Sequence, residues 1–218
     1  LRHLDAALDE LRVGGPTVFD HQHQRRHRPL RDDLAHGLRG VGLQRGDGVA
    51  IVLPNEVSFV ELYLATMQIG VYLTCINYHL TGPEIAYIVN DCEAKVLVVH
   101  ERYQDAATVA ASDIKVPVDH RFAVGTIAGF RAYAEIAFGQ PTSRPHDRSP
   151  GASMLYTSGT TGRPKGVRRA LPEGDPNDAA AVGSMLSMLF DIEPGTGVHL
   201  VAGPLYHASP NAYGRQAL

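Results

Sequence analysis

Apolar positions recur at helical spacing over Leu30 to Leu43, with Leu34, Leu38 and Val41 on one face and Gly42 as a stop. Gly46-Asp47-Gly48 then reads as a turn. The uninterrupted run Val49-Ala50-Ile51-Val52-Leu53, closed by Pro54-Asn55, predicts a fully buried strand. From Val57 to Ile69 apolar side chains cover a wide arc, which predicts a helix with Gly70 as its C-terminal cap. Tyr72 to Ile76 is a second short strand. Thr81, with Glu84 three residues on and Pro83 in the first turn, opens another helix that buries Ile85, Ile88 and Val89. Ala94 to Val99 is a third strand, Tyr103 to Ala111 a third helix of this βαβ series, and Arg121 to Val124 a fourth, shorter strand. Strands that alternate with helices and lack a polar face predict an α/β architecture, layered βαβ sheets with flanking helices.

The pattern changes at both ends. Leu1, Leu4, Leu8 and Leu11 keep a helical spacing, which Gly14-Gly15-Pro16 interrupts. His21 to Pro29 carries three histidines and three arginines without an accompanying cysteine or carboxylate. It reads as a solvated basic segment rather than a metal or nucleic-acid site, because arginines repel a cation. Gly125 to Phe138 reads as a loop with a short helix, and Gln140 to Gly151, rich in Pro, Ser, Arg and Asp, as an exposed connector. Beyond it, Ala152 to Leu155 ends a buried strand and Asp178 to Phe190 has helical spacing. Met185 and Met188 in that helix fit ordinary core packing better than an acyl tunnel. Val198 to Ala202 is the next strand. The expected organisation is therefore an N-terminal segment 1–30, a first α/β subdomain 31–139, a connector 140–150, and the start of a second α/β subdomain over 151–218.

Composition narrows the class. A chain of 218 residues with 44% hydrophobic and 20% charged side chains has the balance of a soluble globular protein long enough to bury a core. A net charge of −3 gives no global pull toward nucleic acid or anionic lipid. Cys75 and Cys92 lie far apart without metal-ligand spacing, so a reducing, cytoplasmic setting is the expectation. No apolar run is long enough to span a bilayer, and the N-terminus shows no signal-peptide core.

The chemistry concentrates in Tyr156-Thr157-Ser158-Gly159-Thr160-Thr161-Gly162-Arg163-Pro164-Lys165-Gly166. Glycines let the backbone approach a ligand, four hydroxyls add donors, and Arg163 and Lys165 add positive charge, so the run suits a polyphosphate. It is not the common P-loop, which needs Gly-Lys followed directly by Ser or Thr at a helix start. Pro164 before Lys165 and Val167 after Gly166 instead suggest strand, phosphate loop, strand. A Gly/Thr-rich hairpin turn is the plain alternative.

That run closely resembles the phosphate-loop signature of the adenylate-forming enzymes. Arg45 to Asn55, and Ile76 to Ile85 followed by Asp91 to Lys95, resemble the acyl-CoA synthetase branch of that superfamily. The resemblance extends from about Arg31 to Gly214, and it implies the N-terminal part of that family's large domain. It implies that Thr157, Ser158, Gly159, Thr160, Thr161, Gly162 and Lys165 hold the β- and γ-phosphates of ATP, with Mg²⁺, while a carboxylate attacks the α-phosphate. Lys165 would carry charge on the leaving pyrophosphate. Pro204-Leu205-Tyr206-His207 resembles a second core motif, which implies that His207 borders the carboxylate pocket. A strand-end histidine is also commonly structural. The implied reaction is ATP-dependent activation of a carboxylic, expectedly fatty, acid as acyl-adenylate, then transfer to CoA.

The same resemblance implies segments that this sequence does not contain: a Tyr-Gly-Xaa-Thr-Glu run, a late Tyr-Xaa-Thr-Gly-Asp run, and a small C-terminal domain with a catalytic lysine. The chain is therefore expected to be an incomplete N-terminal portion, inactive by itself, with a separately encoded C-terminal half as a candidate partner. A noncatalytic phosphate-binding module or a scaffold is the alternative.

Overall fold

The computed structural model describes residues 17–20, 32–157, 163–178, 188–189 and 198–216. In chain order the elements are β1 (Thr17–Asp20), α1 (32–40), β2 (Gly48–Val52), α2 (Val57–Thr66), β3 (Tyr72–Cys75), α3 (Gly82–Asp91), β4 (Ala94–His100), α4 (Gln104–Ala111), β5 (Arg121–Val124), β6 (Arg131–Ala132), β7 (Ala152–Thr157), β8 (Lys165–Val167), β9 (Val198–Val201) and α5 (Ala208–Gln216). The expected Leu1–Leu11 helix, the basic segment and Ser158 to Gly162 lie outside the described residues. So does most of the 178–190 helix.

Seven strands form one sheet in the order β6-β5-β4-β2-β3-β7-β8. All neighbours run parallel except β7 and β8, which form an antiparallel hairpin. The central strands β2, β3 and β4 are buried on both faces almost throughout, and this is why they read as continuous apolar runs. Alternate residues point to opposite sides. Val49, Ile51, Val96, Val98 and Phe122 pack with Leu34 and Leu38 of α1 and Phe59 and Leu62 of α2. Ala50, Val52, Leu97 and Val99 pack with Ile85, Ile88 and Val89 of α3 and Ala107 and Ala110 of α4. Three layers result, helices on both sides of a mainly parallel sheet.

Local chemistry sets the boundaries. Gly70 turns the chain after α2 with a φ of 70°, a conformation that suits glycine. At the start of α3 the Glu84 carboxylate accepts from both the backbone N–H (2.8 Å) and the hydroxyl (2.7 Å) of Thr81. These bonds hold the Glu84 carboxyl below its ordinary range, the hydroxyl contributing most. A depressed carboxylate stabilises the fold above its unfolded pKa, near 4.5, and that contribution is lost as pH falls through the lower folded value. Thr81→Ala is expected to cost about 1 kcal/mol at pH 7. The gap to wild type should narrow in urea melts below pH 4, and a gap constant down to pH 3 would contradict this account of the cap.

Three expectations change. Thr17–Asp20 is a strand, paired antiparallel with β9 through Thr17↔Val201 to Asp20↔Val198. Four residues cannot announce themselves when the pairing partner lies near the other end of the chain. Arg131–Ala132, expected as loop, is a short edge strand beside β5. Met188 is 81% exposed, so it does not pack in the core as expected; Met185 lies outside the described residues.

Candidate functional site

Strands β2, β3, β4 and β7 are parallel neighbours, so their carboxyl ends open on the same edge of the sheet. Ligands of open α/β sheets bind at that edge, where the strand order reverses. Here it reverses at β2, which has β3 on one side and β4 on the other.

The two flanks of the glycine- and threonine-rich run stand at this edge, at the end of β7 and the start of β8. Leu155↔Val167, Tyr156↔Gly166 and Thr157↔Lys165 are cross-strand partners. The expected strands on either side of the loop are therefore present, and Thr157 and Lys165 are opposite each other across the stem. Lys165 is exposed, and among the described residues no carboxylate forms an ion pair with it. Its ammonium is available to a ligand rather than committed to the fold. Gly166 packs so closely under the next strand that an added Cβ would lie 2.4 Å from Met154 Cε and 2.8 Å from Tyr156 Cζ. Past β8, the Arg168 guanidinium stacks over the Tyr72 ring at 4.5 Å and pairs with Glu93 at 3.3 Å, and the Tyr72 hydroxyl donates to the Arg169 carbonyl.

At the carboxyl end of β2, Asn55 grips the turn after β9. Its side-chain amide donates to the Gly203 carbonyl at 2.9 Å, and its side-chain oxygen accepts from the Leu205 N–H at 2.7 Å. Asn211, buried in α5, donates to the Leu205 carbonyl. The turn so fixed carries Tyr206 and His207. His207 is exposed, its backbone N–H donates to Pro204, and its ring lies 4.4 Å from the Tyr206 ring. Among the described residues no hydrogen bond, ion pair or ring contact joins His207 to the β7–β8 stem.

An aromatic cluster that the sequence did not single out joins the His207 turn to the strand ends. Tyr78, after β3, stacks on Tyr103, after β4, at 4.9 Å and 7°. It also meets the Tyr206 ring edge-on at 5.0 Å. Burial, reinforced by Tyr78, pushes the Tyr103 hydroxyl up to about 12, and burial raises Tyr206 in the same direction. Both stay protonated and offer hydrogen-bond donors beside an apolar surface. The signal in the sequence was the Asn77-Tyr78-His79 stretch just past a strand; only the fold brings Tyr103 and Tyr206 to it. Elsewhere, burial raises both cysteine thiols, Cys75 to about 12, so neither is a nucleophile at neutral pH.

The sequence model of the AMP-binding enzyme family matches residues 29–208. The chain belongs to that family. It is 29% identical over 179 residues to a feruloyl-CoA synthase from Amycolatopsis, a match covering 81% of this chain and 32% of that protein. It is 35% identical over 142 residues to a 3-oxocholest-4-en-26-oate–CoA ligase from Rhodococcus rhodochrous, covering 62% of this chain and 26% of that one. A solved structure described as a long-chain-fatty-acid CoA ligase from Rhodopseudomonas palustris superposes with a TM-score of 0.70 at 28% identity. That match covers 88% of this chain and 47% of the other. The chain matches between 26% and 32% of the length of these curated relatives. Its homologues are acid–CoA ligases, and the layered α/β architecture is that of adenylate-forming enzyme domains.

Proposed function

We propose that this chain supplies the phosphate-binding part of an acid–thiol ligase site, which couples a carboxylic acid to AMP and passes the acyl group to CoA. The observation that carries the reading is the Thr157–Lys165 cross-strand pair at the carboxyl edge of the sheet, within a region that matches the AMP-binding family. We assign the β- and γ-phosphates of ATP to the backbone N–H groups and hydroxyls of Thr157 to Gly162. The Lys165 ammonium offsets charge on pyrophosphate as it leaves. The attacking carboxylate is already ionised at pH 7, so no general base is required.

Among the described residues no three His, Cys, Asp or Glu side chains converge as a metal site. In this reading Mg²⁺ arrives as the counter-ion of ATP. His207 and the Tyr78–Tyr103–Tyr206 cluster border the acid, with hydroxyl and imidazole groups beside apolar rings. Fatty and related hydrophobic acids fit that surface. The match covers 32% of the feruloyl-CoA synthase, and we assign the adenine and ribose contacts to the remaining region of such relatives. Turnover in this reading requires that region, whether continuous with this chain or supplied by a partner polypeptide. Two buried, protonated thiols suit the reducing cytoplasm. Among the described residues no helix is long and apolar enough to cross a membrane.

The test is acid-dependent ATP–pyrophosphate exchange with the chain alone and with that partner polypeptide, using long-chain, hydroxycinnamic and steroid acids. Exchange that requires an acid and the partner, and is lost in Lys165→Ala, is the expected result. Acid-independent release of ADP and phosphate would assign the site to γ-phosphate chemistry instead.

A further inference from the structure

Two hydrogen bonds connect α3 to the hairpin that flanks the phosphate loop. The Tyr87 hydroxyl donates to the Pro164 carbonyl at 3.1 Å, just before Lys165. The Tyr156 hydroxyl donates to Asp91 Oδ2 at 2.6 Å, just before Thr157. Tyr87 and Asp91 are four residues apart on α3 and so share a helix face. The Arg163 guanidinium lies 5.5 Å over the Tyr87 ring, adding a second hold on the same arm. The Tyr156 ring crosses β8 directly above Gly166, where a side chain would collide with it. Its anchorage to Asp91 thus bears on both strands. Helix α3 is itself a firm base, fixed at its start by the Thr81–Glu84 pair and buried through Ile85, Ile88 and Val89.

We propose that Tyr87 and Asp91 of α3 are positioning residues for the phosphate loop, holding its two arms at Pro164 and Tyr156 so that Thr157 and Lys165 face one ligand. The proposal rests on the polyphosphate reading of the loop. Neither residue touches the ligand. They act by fixing the stem, so that less ordering remains to be imposed when the ligand binds. The signal is tertiary: the bonded residues stand 77 and 65 positions apart in the chain.

The probe is Mg-pyrophosphate binding to the purified chain by calorimetry, beside urea melts of each variant. Tyr87→Phe and Tyr156→Phe remove one hydroxyl each and keep the ring. Each is expected to weaken binding about three- to tenfold with little change in the urea midpoint. Asp91→Asn keeps an acceptor for Tyr156 and should bind within about twofold of wild type, whereas Asp91→Leu should match Tyr156→Phe. The double variant Tyr156→Phe/Asp91→Leu should lose no more than either single change, since both remove the same bond. Lys165→Ala reports on the underlying reading. If it loses binding while both tyrosine variants bind like wild type, or lose affinity only in step with stability, the positioning role is overturned and the phosphate site stands. If wild type and Lys165→Ala bind pyrophosphate alike, or neither binds, both fall.

Discussion

Lys165→Ala is expected to slow acid-dependent adenylation by about a hundredfold or more, with little change in stability. The side chain is exposed at the first position of β8, so its loss leaves no cavity and no buried group unpaired. The reaction brings a carboxylate onto a phosphorus already surrounded by anionic oxygens, and pyrophosphate departs with further charge. A preorganised cation at that point acts mainly in the transition state, and losing one such donor costs about 10²–10³ in rate. The effect should fall on kcat more than on the KM for the acid, for which we propose the His207 end of the edge. Lys165→Arg is expected to recover only part of the rate, because a planar fork replaces a compact ammonium. Steady-state exchange rates with unaltered urea midpoints check this. Equal rates for wild type and Lys165→Ala would remove the lysine from the chemistry.

Gly151→Val is expected to produce a large loss of stability and to take the phosphate hairpin with it. Gly151 leads into β7, and its N–H donates to the Met67 carbonyl at 3.1 Å; the next N–H, of Ala152, donates to Val71. A Cβ there would lie 2.4 Å from the Thr66 oxygen, 2.6 Å from the Val71 oxygen and 3.0 Å from Met67 Cα. All three are backbone atoms of the turn between α2 and β3, so no side chain can swing aside. Either that turn or β7 must move, at a cost of about 3 kcal/mol. Displacing β7 also displaces Thr157. Denaturant melts should show the loss, and pyrophosphate binding should weaken in the same variant. Gly40→Ala is the matched control: at the end of α1 the nearest atom to a new Cβ is Gln140 Nε2 at 3.8 Å. That change should be neutral or stabilise by up to about 1 kcal/mol.

The α/β rhythm was legible because strands buried on both faces must be apolar throughout, as in Val49 to Leu53 and Val96 to Val99. The Thr81–Glu84 cap was legible because its physics is local; the helix expected to run to Ile69 with Gly70 as its cap instead ends at Thr66 with Met67 as the cap, and Gly70 turns the chain beyond it. β1 was not, since four residues become a strand only against β9. Met188 failed for a related reason: helical spacing identifies a stripe but not what lies opposite it. In the candidate site, the loop residues and Lys165 are proposed from their own chemistry, whereas the stem of β7 and β8 that Pro164 suggested is present in the fold. His207 was legible only through resemblance. Asn55, which fixes the His207 turn across 148 residues of chain, was read merely as the end of a strand. Tyr87, Asp91, Tyr78 and Tyr103 stand in helices or turns whose local pattern carries no mark of their distant contacts.

The central claim is that the β7–β8 hairpin is a polyphosphate site, and competition between ATP and pyrophosphate tests it most directly. With labelled Mg-ATP bound to the purified chain, Mg-pyrophosphate should displace it completely and AMP weakly. In Lys165→Ala both ATP and pyrophosphate should bind at least about tenfold less tightly. Displacement by AMP but not by pyrophosphate, or unchanged affinities in the variant, would place the nucleotide elsewhere and contradict the account.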